Sequence, residues 1–178
     1  GSIPFGLILT KIFLKRDIRE VGSGNIGATN VLRTGKKTLG ISTLVLDSLK
    51  AYFAIIITLN FFPEYIYLSA LLCFLGHVFP IWLKFNGGKG IAVYLGVLFA
   101  LSIYLGLIFI ISWIIILYIS KFSSLSSLVS SLIILLYSIT LNDSNMILLF
   151  FIIFIIVIYT HRENISRIRD KTENKTNF

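Results

Sequence analysis

The residues best suited to chemistry fall in three clusters, the first reading GSGNIGATN over 22–30 with Arg33 close behind. Glycines let a backbone fold tightly, so that amide groups such as that of Gly24 can line an anion. Ser23, Asn25, Thr29 and Asn30 add neutral donors, and Arg33 adds a rigid bidentate cation suited to phosphate or carboxylate. The second cluster, GHVFPIWLKFNGGKG over 76–90, sets Lys89 between glycines at an expected helix start, with Gly88 before it and His77 at the end of the preceding apolar run. Free amides and the helix dipole favour an anion there. The third, HRENISRIR over 161–169, places His161 and Asn164 one helical turn apart on one face, with Arg162 and Arg167 nearby. The plainer alternatives are a helix-capping turn for the first, a positive-inside anchor and an interfacial structural histidine for the second, and a cationic helix terminus for the third.

Several familiar chemistries are excluded. GSGNIG matches the spacing of a dinucleotide fingerprint but follows a charged stretch, 16–20, where that motif needs a buried strand. NGGKG is not a Walker loop, because Leu83 stands where glycine is required and Gly90 where serine or threonine is. Two distant histidines and one cysteine offer no metal-ligand spacing, and no Ser-His-Asp arrangement marks a nucleophile. No metal or cofactor is therefore expected. Cys73 lies in an apolar run as plain packing.

The elements that hold these clusters belong to a membrane. Hydrophobic residues make up 56% of the 178 and charged residues 13%, well below the usual quarter. Apolar segments run over 1–14, 39–62, 65–82, 91–120, 122–141 and 146–160. The first spans only about 21 Å, short of a hydrocarbon core of roughly 30 Å, so the chain is expected to begin partway into its first helix. Lysines and arginines collect on the cytoplasmic side of short loops. Here they lie at 11–37, 84–89, 121 and 162–175, with Lys50 alone inside a span. Placing all these clusters on one side makes 91–120 a hairpin breaking near 102–106, and 122–160 a second one turning at 142–145. The expected fold is an all-α bundle of about seven transmembrane helices forming one domain over 1–178, amino terminus outside and carboxyl terminus cytoplasmic. The outer turns then carry Glu64 and Asp143 and no basic residue. That asymmetry accounts for the net charge of +8 without nucleic-acid binding. Asp47 and Lys50, at i and i+3 inside the second span, are read as a structural pair bordering the site, and the serine-rich stretch 120–131 as helix packing rather than a linker.

Taken together, GSIPFG at 1–6, the GSGNIGATN loop with Arg33, Asp47 with Lys50, GHVFP with FNGGKG, and His161 with Asn164 resemble the bacterial acyl-phosphate:glycerol-3-phosphate acyltransferases, the PlsY family. The likeness covers essentially the whole chain. It implies a multi-pass enzyme of the bacterial inner membrane, its active site facing the cytoplasm. Such an enzyme moves a fatty acyl group from acyl phosphate to the 1-hydroxyl of glycerol 3-phosphate, giving lysophosphatidate and phosphate, the first step of phospholipid synthesis. By the same resemblance Ser23, Arg33, Lys89, His161 and Asn164 hold the phosphate-bearing substrates, with Arg33, Lys89 and His161 nearest the chemistry. Asn25, Thr29, Asn30 and His77 match motif positions of less defined role. Two departures, Ala51 and Lys171 where the family usually has glycine, bear on packing and on the tail. No obligate protein partner is implied.

Acyl phosphate carries its own leaving group, so the protein need only neutralise two anions and set a hydroxyl against a carbonyl. The proton acceptor stays open between a histidine, His161 before His77, and a substrate phosphate, since the inner loops offer no obvious carboxylate. The competing class is a transporter of a small organic phosphate, with Asp47 and Lys50 on its path. A scaffold binding anionic lipid is the blandest alternative.

Overall fold

The computed structural model describes residues 1–176, which are helical with no strand among them. In order come α1 Phe5–Leu14, α2 Ala28–Leu32, α3 Lys37–Phe61, α4 Ile66–Val78, α5 Ile91–Leu101, α6 Ile103–Ser120, α7 Ser123–Thr140, α8 Ser144–Thr160 and α9 Arg162–Arg169. Turns of 3-10 helix lie at Ile18–Glu20, Pro63–Tyr65 and Ile81–Leu83. Each expected apolar segment is helical, and the long one divides at Ser102, whose hydroxyl accepts from the Tyr104 N–H at 3.2 Å. The next break falls at 141–143, where Asp143 accepts from the N–H groups of Asn145 and Met146, each at 3.0 Å. Both breaks are N-caps, in which a side-chain oxygen serves amides that the new helix leaves without an intrahelical partner.

Four helical segments are long and apolar enough to cross a bilayer: Lys37–Phe61, Pro63–Leu83, Ile103–Ser120 and Ser123–Thr140. Ser144–Thr160 with Arg162–Arg169, bent by 57°, makes a fifth if counted as one span. With 10 and 11 residues, α1 and α5 rise only about 15 to 17 Å, half a hydrocarbon core.

The chain divides into two compact units, Gly1–Leu101 and Ser102–Phe178. In the first, α3 packs against α1, α2, α4 and α5. The approach to α5 is close because Gly96 has no side chain: a Cβ there would run into the Ser48 carbonyl. Ser48 Oγ fixes the same contact by donating to Ala92 O at 2.8 Å. Without water, helices associate through such small-residue contacts and interhelical hydrogen bonds. Apart from Lys11 in α1 and Lys37 and Lys50 in α3, the lysines and arginines of this unit lie in the connections 15–36 and 84–89, and Glu64 sits in the short turn joining α3 to α4.

In the second unit α7 packs against α6, α8 and α9. Its serines at 124, 126, 127, 130, 131 and 138 are buried, and Trp113 Nε1 donates to Ser127 Oγ at 3.1 Å. The hydroxyls of Ser126, Ser127 and Ser131 bond carbonyls one turn back at 2.7 to 2.9 Å. The serine-rich stretch is helix packing, as its composition suggests.

Gly96→Ala is expected to destabilise the first unit by about 1–3 kcal/mol, because a well-packed interface resists an added methyl group. Thermal unfolding in detergent micelles checks this as a lowered midpoint.

Candidate active site

The loop between α1 and α3 is closed by one side chain. Asn30, 2% exposed, accepts from the Ser23 N–H at 2.9 Å and donates from Nδ2 to the carbonyls of Ile18, Val21 and Asn25 at 3.1, 2.9 and 2.8 Å. Asn25 accepts from the Gly27 N–H at 2.8 Å, and the Gly24 N–H donates to Val21 O at 3.0 Å. The amides of Ser23, Gly24 and Gly27 are therefore engaged inside the loop. Three amides of the expected anion nest thus have their partners within the loop itself. Gly24 serves through its φ of +70°, a region side chains avoid. Arg33 lies over the loop, its Cδ 3.3 Å from where a Cβ on Gly22 would stand. Ser23, Thr29 and Arg33 are exposed. At the loop's entry Asp17 takes hydrogen bonds from Arg19, which hold its carboxyl well below the usual carboxylate range despite the opposing cost of burial.

The glycine loop after α4 folds back on that helix. The N–H groups of Gly87 and Gly88 donate to Val78 O and His77 O, each at 3.1 Å, completing the helix end instead of facing a ligand. A Cβ on Gly88 would collide with the His77 ring. Leu83 packs against the cluster of Leu7, Ile18, Ile26 and Val31, so the turn that leads into the glycine loop rests on the core of the first loop. The two clusters of this unit thus share one end of it, and Lys89 is half-buried there.

His77 also meets Asp47 and Lys50. Lys50 Nζ lies 2.5 Å from Asp47 Oδ1, 2.5 Å from Ile3 O and 3.0 Å from His77 Nδ1. All three side chains are buried.

In the second unit His161 sits between α8 and α9, 2% exposed, with Nδ1 2.8 Å from Val157 O. That carbonyl takes the Nδ1–H, so Nε2 carries the lone pair in the neutral ring. The Ile165 N–H donates to His161 O at 2.9 Å, continuing the helical geometry that sets Asn164 one turn on. Asn164 Nδ2 donates to Glu173 Oε1 at 2.6 Å, Ser124 Oγ to the same oxygen at 2.9 Å, and Arg167 Nε to Oε2 at 2.7 Å. Burial alone would raise the Glu173 carboxyl, but these three donors outweigh it and hold it below the ordinary range. The sequence reading missed Glu173, which stands in a polar terminal tail with nothing local to mark its partners.

Comparison with known proteins decides the family. The profile of the glycerol-3-phosphate acyltransferase family matches residues 1–171. The glycerol-3-phosphate acyltransferase of Pelagibacter ubique is 59% identical over 99% of this chain and 92% of its own length. That of Rhodopseudomonas palustris strain BisB5 is 48% identical over 98% and 90%. The chain belongs to the glycerol-3-phosphate acyltransferase family. Two crystal structures of the integral membrane acyltransferase PlsY agree over 99% of this chain. Its glycerol 3-phosphate form gives a TM-score of 0.93 at 34% identity and 90% coverage of that structure; its lysophosphatidic acid form gives 0.89 at 33% and 89%. This acyltransferase is accordingly a multi-pass membrane protein.

Within the acyltransferase, the first unit carries Ser23, Gly24, Asn25, Thr29, Asn30, Arg33, His77, Gly88 and Lys89, and the second carries His161 and Asn164. Among the described residues no group of three or more His, Cys, Asp or Glu is arranged to hold a metal. The pH dependence of the tail follows from Glu173. A carboxyl held low in the folded state stabilises at neutral pH and loses that contribution as the pH falls through its folded value. Hydrogen exchange over 170–176 is expected to accelerate in that acid window in the native chain. In Glu173→Gln it should be faster at neutral pH and lose that acid step.

Proposed function

We propose that this chain transfers a fatty acyl group from acyl phosphate to the 1-hydroxyl of sn-glycerol 3-phosphate, releasing lysophosphatidate and phosphate at the cytoplasmic face of the bacterial inner membrane. The supporting observation is the pair of anion-suited loops, 22–33 and 84–90, resting on one core through Leu83 in a chain of this family. The seven apolar helices are read as seven crossings, amino terminus outside and carboxyl terminus inside, with both units in one acyltransferase domain.

The hydroxyl oxygen attacks the acyl carbon, the bond from that carbon to the bridging phosphate oxygen breaks, and phosphate leaves with the electron pair. Arg33 and Lys89 neutralise phosphate charge, and the Ser23 and Thr29 hydroxyls add donors. Asn25, Asn30, Gly24 and Gly88 act by holding the loops, since their polar groups are engaged there. His161 and Asn164 address a phosphate-bearing substrate in their own unit. For the proton, His161 Nε2 carries the lone pair in the tautomer that Val157 O selects, and this ring is the proposed base. Glu173 is a poor base at neutral pH, because its partners keep it ionised and engaged. A substrate phosphate oxygen is the alternative acceptor.

The chain in lipid, given palmitoyl phosphate and glycerol 3-phosphate, is expected to form lysophosphatidate and phosphate in equal amounts, and none from palmitoyl-CoA. Lys89→Ala is expected to lower the rate on the order of a hundredfold, the effect of removing one donor from a charge-stabilising site. His161→Gln should lose roughly a hundredfold or more if that ring is the base. Near-native turnover at saturating substrate would assign the proton to a substrate phosphate.

A further inference from the structure

The buried cluster of Asp47, Lys50 and His77 carries a consequence that the phosphate-facing residues do not. An ammonium has three N–H donors and no acceptor. Around Lys50 Nζ stand three acceptors: Ile3 O, Asp47 Oδ1 and His77 Nδ1. Each proton has one destination, so His77 Nδ1 is a lone pair and the ring proton is on Nε2. That edge of the ring faces Gly88, where a Cβ would strike Nε2 and meet Cε1 and Cδ2 at 3.0 and 3.1 Å. The residue also holds the loop by its backbone, since His77 O accepts the Gly88 N–H at 3.1 Å. Lys50, Asp47 and His77 are 6%, 1% and 3% exposed, so water does not substitute for any of these partners.

We propose that Lys50, anchored by Asp47, is a positioning residue that locks His77 as the Nε2–H tautomer beneath Gly88 and thereby sets the loop that carries Lys89. The kinetic consequence rests on the acyltransfer reading; the tautomer does not. His161 supplies an internal contrast, because Val157 O takes its Nδ1–H and selects the opposite tautomer. The chain has only 2 histidines, so the two forms can be told apart in one sample.

The test is nitrogen-15 NMR of the full chain in lipid nanodiscs with labelled histidine, His161→Gln assigning the signals, alongside kinetics. The native chain is expected to show His77 with Nε2–H and His161 with Nδ1–H. Asp47→Asn/Lys50→Met, which removes both charges together, is expected to give His77 mixed tautomers. It should also lower kcat/KM by roughly tenfold to a hundredfold, as for a misplaced binding group, mainly through KM. Gly88→Ala, with Lys50 intact, should reproduce the kinetic loss by displacing the ring and add little to the double variant. His77 bearing Nδ1–H in the native chain, or a folded double variant with native tautomer and constants, would overturn the proposal. If the double variant does not fold, the native spectrum and Gly88→Ala decide, a native kcat/KM in Gly88→Ala counting against it. A native chain that transfers no acyl group defeats the acyltransfer reading, while its spectrum still decides the lock.

Discussion

Hydrocarbon offers no hydrogen bonds, so every polar group that a membrane chain buries must find its partner inside the protein. Lys50 is the most demanding case here. Its ammonium joins the carbonyl of Ile3 before α1, a carboxylate one turn away on α3, and an imidazole on α4. Removing one partner of such a set leaves an uncompensated charge, and that penalty is what ties the three segments together. The hydroxyls of Thr10, Thr43 and Thr58 obey the same demand by bonding carbonyls of the preceding turn at 2.8 to 2.9 Å.

The same requirement shapes the two glycine-rich loops. Residues 22–30 and 86–90 look in sequence like backbone cradles for an anion, yet the amides of Ser23, Gly24, Gly27, Gly87 and Gly88 are engaged in closing the loops and ending α4. Glycine is needed at 88 because the His77 ring occupies the space of a side chain, and at 24 because of a positive φ. In the proposed reaction phosphate recognition falls to side chains. On that proposal, a division between residues that shape the loop and residues that meet the ligand would account for the many small and neutral residues around few cations.

The positions of the apolar helices and of both breaks were legible, because hydropathy, Ser102 and Asp143 are local signals. The grouping of candidate residues into loops was legible for the same reason. Three things were not. The meeting of His77 with the Asp47–Lys50 pair joins residues 27 apart, and helix periodicity carries no information across that separation. Asn30 reads as one donor among several until the loop closes and three carbonyls converge on it. Glu173 belongs to a tail whose composition suggests solvent, but Ser124, Asn164 and Arg167 bury its carboxylate. Each depends on tertiary closure rather than on any residue's neighbours.

The central claim is that anion-binding residues on one face of a membrane bundle perform acyl transfer. The most direct measurement uses vesicles containing the chain in one orientation, established by labelling the lysines, with glycerol 3-phosphate supplied to one side at a time and acyl phosphate in the bilayer. The account predicts lysophosphatidate only when glycerol 3-phosphate is on the face bearing Arg33 and Lys89, with no flux of glycerol 3-phosphate across the membrane. Flux without product, or product from the opposite face alone, would contradict it.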